Sequence, residues 1–152
     1  MIRFRPATQA DLPAIIGLLA ADQLGATREV VSDSVDPAYR AAFDAIEEDP
    51  NQLLVVADAE GAVAGTMQLS FIPGLSRTGA WRMQIEGVRV AAAHRGDGLG
   101  TDMIHWAVEQ AEQRGCALVQ LTTDATRQEA HRFYERLGFV ASHVGMKRRL
   151  DT

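Results

Sequence analysis

Cysteine is nearly absent: Cys116 stands alone among 152 residues, so no internal disulfide can form. Set between Gly115 and Ala117-Leu118-Val119, it reads as a small buried hydrophobe rather than a nucleophile. Long apolar runs are missing too. No stretch approaches the roughly 20 residues needed to span a bilayer, and Met1-Ile2-Arg3-Phe4-Arg5-Pro6 lacks the apolar core of a signal peptide. The expectation is a cytoplasmic protein with no membrane partner. Basic charge is in deficit. Fifteen Lys and Arg against 20 Asp and Glu leave a net charge of −5, which argues against a dedicated nucleic-acid binder. Lys147-Arg148-Arg149, the one basic cluster, reads as solvated charge ending a strand. His94, His105, His131 and His143 are scattered, with no partners at metal-ligand spacing, so no structural or catalytic metal is expected.

What is present suits one globular domain over residues 1–152, large enough to bury a core. Ile2 to Arg5 alternates as a short strand, and Thr8-Gln9-Ala10-Asp11 has the form of a helix start with an acid in its first turn. Leu12, Ile15, Ile16 and Leu19 make one apolar stripe. The pattern dissolves from Asp22 to Asp36, where Asp36-Pro37 restarts a helix with Tyr39, Ala42, Phe43 and Ile46 on its inner face. Gln52 to Asp58 and Val63 to Ile72 read as a hairpin about Ala59-Glu60-Gly61. After a second connection over Pro73 to Gly79, Trp81, Met83 and Ile85 alternate with Arg82, Gln84 and Glu86. Leu99 to Arg114 is a helix closed by Gly115, and Ala117 to Thr122 is a strand. Thr126-Arg127-Gln128-Glu129 resembles a capping box before a helix ending at Gly138, and a final strand or hairpin is expected in the tail.

The chemistry concentrates between Gln84 and Thr101. A strand ending Val88-Arg89-Val90 hands over to Arg95-Gly96-Asp97-Gly98-Leu99-Gly100-Thr101, which opens a helix. Alternating glycines let the backbone turn sharply and approach a ligand, and the free amides and dipole of the helix start favour phosphate. Arg95 adds a permanent cation. The spacing Gly96-x-Gly98-x-Gly100 is not the dinucleotide Gly-x-Gly-x-x-Gly pattern, since Thr101 takes its last place, and no Gly-Lys-Ser/Thr follows.

Together with Arg95-x-x-Gly98-x-Gly100, the strand before it and the later Ala130-x-x-Phe133-Tyr134-Glu135-Arg136-Leu137-Gly138-Phe139, this arrangement resembles the GNAT superfamily of N-acetyltransferases over most of the chain. The resemblance implies an α/β fold: a mixed, mostly antiparallel twisted sheet of six to seven strands, splayed between the fourth and fifth, with about four helices on both faces. It implies acetyl-CoA as donor, with backbone groups at Val88, Arg89 and Val90 pairing the pantetheine arm and the loop Arg95, Gly96, Asp97, Gly98, Leu99, Gly100 and Thr101 taking the pyrophosphate. The acceptor would be a primary amine of a small molecule or peptide, attacking the thioester within a ternary complex, and relatives suggest a homodimer.

An alkylamine with a pKa near 10.4 is mostly protonated at neutral pH, so a base is needed. Glu86, just before the cofactor segment, is the candidate base or acceptor anchor, with burial expected to make it more basic. By the resemblance, Tyr134 protonates the leaving thiolate while Phe133 packs inward. His131 is read as a satisfied polar residue and Asp124 as a turn or helix-entry acid. Asp22, Arg28, Glu29 and Asp33 offer both charges in a long loop that either walls the acceptor site or is simply mobile; an acidic pocket would suit a polyamine, aminoglycoside or lysine and Arg28 a carboxylate, and the overall acidity slightly favours a cationic small molecule. The rival reading is a non-catalytic acyl-CoA-binding or regulatory module of the same fold.

Overall fold

The computed structural model describes residues 1–151. Five strands form one sheet in the order β1-β2-β3-β4-β5: β1 Ile2–Pro6, β2 Gln52–Ala59, β3 Ala62–Pro73, β4 Trp81–Val90 and β5 Leu118–Leu121. All neighbours are antiparallel except β4 and β5, which run parallel. The helices are α1 Leu12–Ala20, α2 Gln23–Ala26, α3 Pro37–Glu48, α4 Ser76–Gly79, α5 Leu99–Gln113 and α6 Gln128–Arg136. Helix α5 is the crossover that a parallel β4–β5 pair requires. Among the described residues no helix is long and apolar enough to cross a membrane.

Strand alternation divides the sheet into two faces. Val55, Ala57, Met67, Leu69, Phe71, Met83 and Ile85 pack beneath Leu99, Met103, Ile104, Ala107 and Ala111 of α5. On the other face Leu12 and Ile16 of α1 meet Phe43 of α3 and Leu54 of β2. Of the expected inner face of α3, Phe43 is buried, Tyr39 and Ile46 are half-buried, and Ala42 is exposed. Helix α3 starts as expected, with the Asp36 carboxylate accepting from the Ala38 amide at 2.8 Å ahead of its N1 proline. Helix α5 ends on Gly115, at φ +74°, where the Cys116 amide reaches back to the Ala111 carbonyl at 2.9 Å. The hairpin turn is Glu60-Gly61, both at positive φ, the geometry that suits the twist of a two-residue loop. Thr8 starts only a 3-10 turn over Gln9–Asp11 before α1. There the Asp11 carboxylate takes the Thr8 amide at 2.7 Å and a two-pronged contact from Arg5 at 2.7 and 3.0 Å.

Three expectations about the fold fail. Six helices form rather than about four, because the connections Gln23–Ala26 and Ser76–Gly79 each coil into a single turn. The sheet has five strands rather than six to seven, because the tail forms neither strand nor hairpin: residues 139–151 pair with no strand. The side chains that suggested a strand are there, but Val140, Val144, Met146 and Leu150 are 81%, 88%, 92% and 76% exposed. A strand needs a neighbour to satisfy its backbone, and within this protomer the tail has none. The capping box before α6 also does not form: the helix starts at Gln128 behind Arg127, with no side-chain cap. Asp124 instead closes the turn ahead of the helix, accepting from the Thr126 amide at 2.9 Å.

Candidate active site

The site begins where β4 and β5 part. Their pairing runs only from Arg82 opposite Leu118 to Ile85 opposite Leu121. The remaining half of β4, Glu86–Val90, has no strand on that side, leaving a row of unpaired backbone groups in an opening wedge. A bulge sits at the parting point. Between the pairs Gln68–Glu86 and Thr66–Arg89, β3 advances two residues and β4 three. The extra residue is accommodated at Gly87, whose φ of +64° is a left-handed conformation that costs glycine nothing. Beyond it Val88 and Val90 join Met83 and Ile85 in the core under α5.

At the mouth of the wedge, Gly96 and Gly98 hold φ of +86° and +82°, and Gly98 is the residue from which α5 starts. A Cβ on either would meet nothing within 4 Å, so the loop's glycines face open space. Arg95, Asp97 and Thr101 flank them, Arg95 and Asp97 exposed and Thr101 half-buried, while Leu99 is anchored in the core. Arg95 Nε donates to the Val90 carbonyl at 3.3 Å, tying the loop to the end of β4. The chemistry fits a diphosphate: free amides at a helix N-terminus, a cation beside them, and no side chain in the way.

Gly100 is different, because a Cβ there would stand 3.4 Å from Cζ of Phe133 and 3.9 Å from Cγ2 of Val90. This glycine lets α6 dock against the cradle and the end of β4. Tyr134 is thereby held beside them, edge-on to Phe133 at 5.0 Å and to Phe139 at 5.8 Å. Burial raises its phenol above the ordinary value, while the charges of Arg127 and Arg89 pull it partly back. Among the described residues its hydroxyl has no hydrogen-bond partner. His131 Nε2 lies 2.9 Å from the Asp124 carbonyl, which accounts for it as a satisfied polar group. Asp124 is a turn acid whose carboxyl is lowered by the Thr126 hydroxyl and amide.

Glu86 occupies the face opposite Met83 and Ile85, as the alternation predicts, but it is exposed rather than buried and makes no ion pair among the described residues. On that same face lies a feature sequence reasoning missed. The bulge turns the Arg89 side chain away from the α5 core and toward α2, where its Nε sits 3.2 Å from Asp22. Asp22 caps α2, accepting from the Gly25 amide at 2.6 Å. That bond, then the charges of Arg89, Arg127 and Arg28, hold its carboxyl below the ordinary range. Arg89 is only 18% exposed, and its buried Nε lacks a well-formed hydrogen bond. The available signal was Gly87, since a glycine inside a strand marks a bulge and a bulge reverses which residues face which way. Gln120 Nε2 donates to Gln84 Oε1 at 3.0 Å, closing the wedge at its narrow end on this face.

A half-open parallel strand pair and a glycine-faced cradle thus lie together at the end of β4, with Tyr134 packed beside them, and the relatives of this chain are acyltransferases. The chain belongs to the Acetyltransferase (GNAT) family, whose profile matches residues 18–139. It is 32% identical over 140 residues to an aminoalkylphosphonate N-acetyltransferase of Salmonella typhimurium, covering 91% of this chain and 85% of that protein. It is 32% identical over 154 residues to glucosamine 6-phosphate N-acetyltransferase 1 of Oryza sativa, covering 95% and 84%. A crystal structure from Bacillus halodurans, described as a transcriptional regulator, is 44% identical and superposes with a TM-score of 0.96 over 99% of this chain and all of that one. Members of the family use acetyl-CoA, and the relatives named above as N-acetyltransferases act on amines.

Proposed function

We propose that this chain transfers the acetyl group of acetyl-CoA to the primary amine of a small molecule that also bears an acidic group, by direct attack within a ternary complex. The carrying observation is the wedge itself: Glu86–Val90 of β4 is unpaired on its β5 side, the cradle glycines lie at one end, and Tyr134 is packed beside them through Phe133 and Gly100. Acetyl-CoA supplies the activated thioester. The amides of Gly96 to Thr101 and the Arg95 cation hold its pyrophosphate, and the backbone of Val88 to Val90 lines its pantetheine arm. Tyr134 keeps its proton at neutral pH, since burial raises its phenol, and gives it to the leaving thiolate. Glu86 takes the amine proton, directly or through a water, from the opposite face of the strand.

The acidic group is supported by the arginines on that face. Arg89 is largely buried with an unsatisfied Nε, and the charges of Arg127 and Arg28 also reach Asp22. Three arginines therefore act on the Asp22 carboxylate, and only Arg89 pairs with it directly, which leaves cationic charge that suits a phosphate, phosphonate or carboxylate. The two N-acetyltransferases reported above carry acceptor names that combine an amine with a phosphonate or a phosphate.

Release of free CoA tests both levels, using aminoalkylphosphonates, amino-sugar phosphates and amino acids against polyamines and peptides. Turnover confined to the acidic amines is expected. Turnover confined to polyamines refutes the acidic-group assignment and leaves acetyl transfer standing. Binding of acetyl-CoA with no CoA release from any amine supports the non-catalytic acyl-CoA-binding module instead.

A further inference from the structure

Arg89 and Asp22 are unequal partners. The guanidinium is held from behind: its Nη1 donates to the Val88 carbonyl at 2.9 Å, and the side chain is only 18% exposed. Its Nε is buried and, among the described residues, finds no well-formed hydrogen bond, although Oδ2 of Asp22 lies 3.2 Å away. Asp22 offers that cation one oxygen only. Oδ1 is committed to the Gly25 amide at 2.6 Å, the bond that caps α2. A carboxylate tied down in this way does not turn both oxygens to the planar fork that arginine prefers. A buried cation demands an anion, and the one present is badly aimed.

We infer that Asp22 is a displaceable stand-in for the acceptor's acidic group: it neutralises Arg89 in the empty site, and the phosphonate, phosphate or carboxylate of a bound acceptor takes the guanidinium from it. The inference rests on the acidic-amine acceptor proposed above and adds a residue that sets how strongly the acid is recognised. Position supports it. Arg89 lies in the half of β4 that β5 leaves unpaired, and its side chain shares a face with Glu86, three residues earlier. An acceptor spanning the two sets its amine at Glu86 and its anion at Arg89. The two partners also differ in the way an exchange requires. Arg89 is fixed on its strand by the Val88 carbonyl, whereas Asp22 is 32% exposed and begins a four-residue helix. Because Oδ1 makes the cap and Oδ2 the ion pair, releasing Arg89 does not uncap α2. Gly25 packs against the Leu19 carbonyl at the end of α1, so the helix keeps its place while Oδ2 changes partner. A phosphonate or phosphate, with three oxygens and up to two charges, supplies the two-pronged contact that Asp22 does not. Such groups therefore displace it more readily than a second carboxylate does.

The test separates the charge of Asp22 from its cap. Asparagine caps a helix as well as aspartate does, so Asp22→Asn keeps the Gly25 contact and removes only the competing charge. Saturating CoA fills the phosphate cradle, and isothermal titration of that complex with inorganic phosphate then reports the Arg89 side alone. Asp22→Asn is expected to bind phosphate about 3- to 10-fold tighter than the parent, the contribution of one part-buried ion pair. KM for an aminoalkylphosphonate should fall by a similar factor. In an Arg89→Met background the same Asp22→Asn change should gain nothing, with thermal melts as the folding control for each variant. Phosphate affinity that is absent, unchanged or weakened in Asp22→Asn overturns the inference, as does a gain that persists without Arg89. Turnover of acidic amines with no fall in KM for Asp22→Asn removes the stand-in and leaves the acceptor reading intact. A gain in phosphate affinity with no acidic amine turned over does the reverse: the anion subsite and its internal competitor stand, and the acceptor reading falls.

Discussion

Replacing Gly98 in turn by asparagine, alanine and glutamate separates backbone strain from electrostatics in the cradle. Gly98 holds φ +82° and a Cβ there meets nothing within 4 Å, so alanine clashes with no neighbour and its whole cost is conformational. A non-glycine residue in the left-handed region costs roughly 1–2 kcal/mol, less for asparagine. The loop is exposed and free to relax when empty, so that cost falls on binding. Gly98→Ala should weaken acetyl-CoA binding about 5- to 30-fold, with asparagine nearer the parent. Glutamate adds a negative charge facing the diphosphate. At about 6 Å and an effective dielectric near 20 this is worth about 3 kcal/mol before screening, and roughly half that at an exposed site in moderate salt. Isothermal titration with acetyl-CoA, repeated at two ionic strengths, should rank the variants asparagine, alanine, glutamate. The excess cost of glutamate alone should shrink with salt. Glutamate binding as tightly as the parent would remove the pyrophosphate from this loop, and asparagine as poor as alanine would show that strain is not the cause.

Tyr134→Phe removes the proton donor but leaves the ring stack, so turnover should drop roughly 10- to 100-fold, at or below the low end of general-acid effects, with acetyl-CoA affinity unchanged. Glu86→Gln should lower kcat/KM most near neutral pH and recover toward pH 10, where the amine sheds its own proton; a deficit constant across that range would make Glu86 an anchor for the acceptor and not a base. Asp11, lowered to about 2 chiefly by the Arg5 hydrogen bond, gives stability that is fully present above its unfolded value near 4 and lost as pH falls through 2. Chemical denaturation should therefore show Asp11→Asn destabilised by about 1–2 kcal/mol at pH 7, with the gap closing below pH 3. In Gly65→Ala a new Cβ would stand 2.9 Å from Met103 Sδ and 3.0 Å from the Arg89 carbonyl oxygen. Overpacking of this kind costs about 1–3 kcal/mol, a fall in melting temperature of roughly 3–9 °C for a domain of this size.

Most of the core was legible because periodicity and burial agree wherever an element has two distinct sides. Met103, Ile104, Ala107 and Ala111 are buried as their spacing demands, and Gly115 ends α5 through the expected left-handed turn. The cradle was legible for a related reason: alternating glycines at a strand-to-helix junction leave few other conformations. Alternation failed for the tail because it records which side chains could share a face and is silent about where the covering face comes from. Val140 to Leu150 has the pattern of a strand without a neighbour in its own protomer. Position in the chain likewise does not report depth, which is why Glu86 was expected buried and lies exposed. The Arg89–Asp22 contact joins residues 67 positions apart across a bulge, and no local spacing encodes it.

The single extra residue at Gly87 sets a parity for everything after it. Were Gly87 kept but drawn into regular pairing, Arg89 would inherit the orientation of Met83 and Ile85 and drive a guanidinium into the space occupied by Met103 and Ile104, while Val88 and Val90 would turn out toward α2. Deleting Gly87 should therefore leave Val88 and Val90 in the core and Arg89 outside, whereas a β-branched residue there, which disfavours the positive φ and so favours regular pairing, should cost more stability in a thermal melt. One residue of surplus length lets the strand bend where β5 leaves it without giving up its oily side.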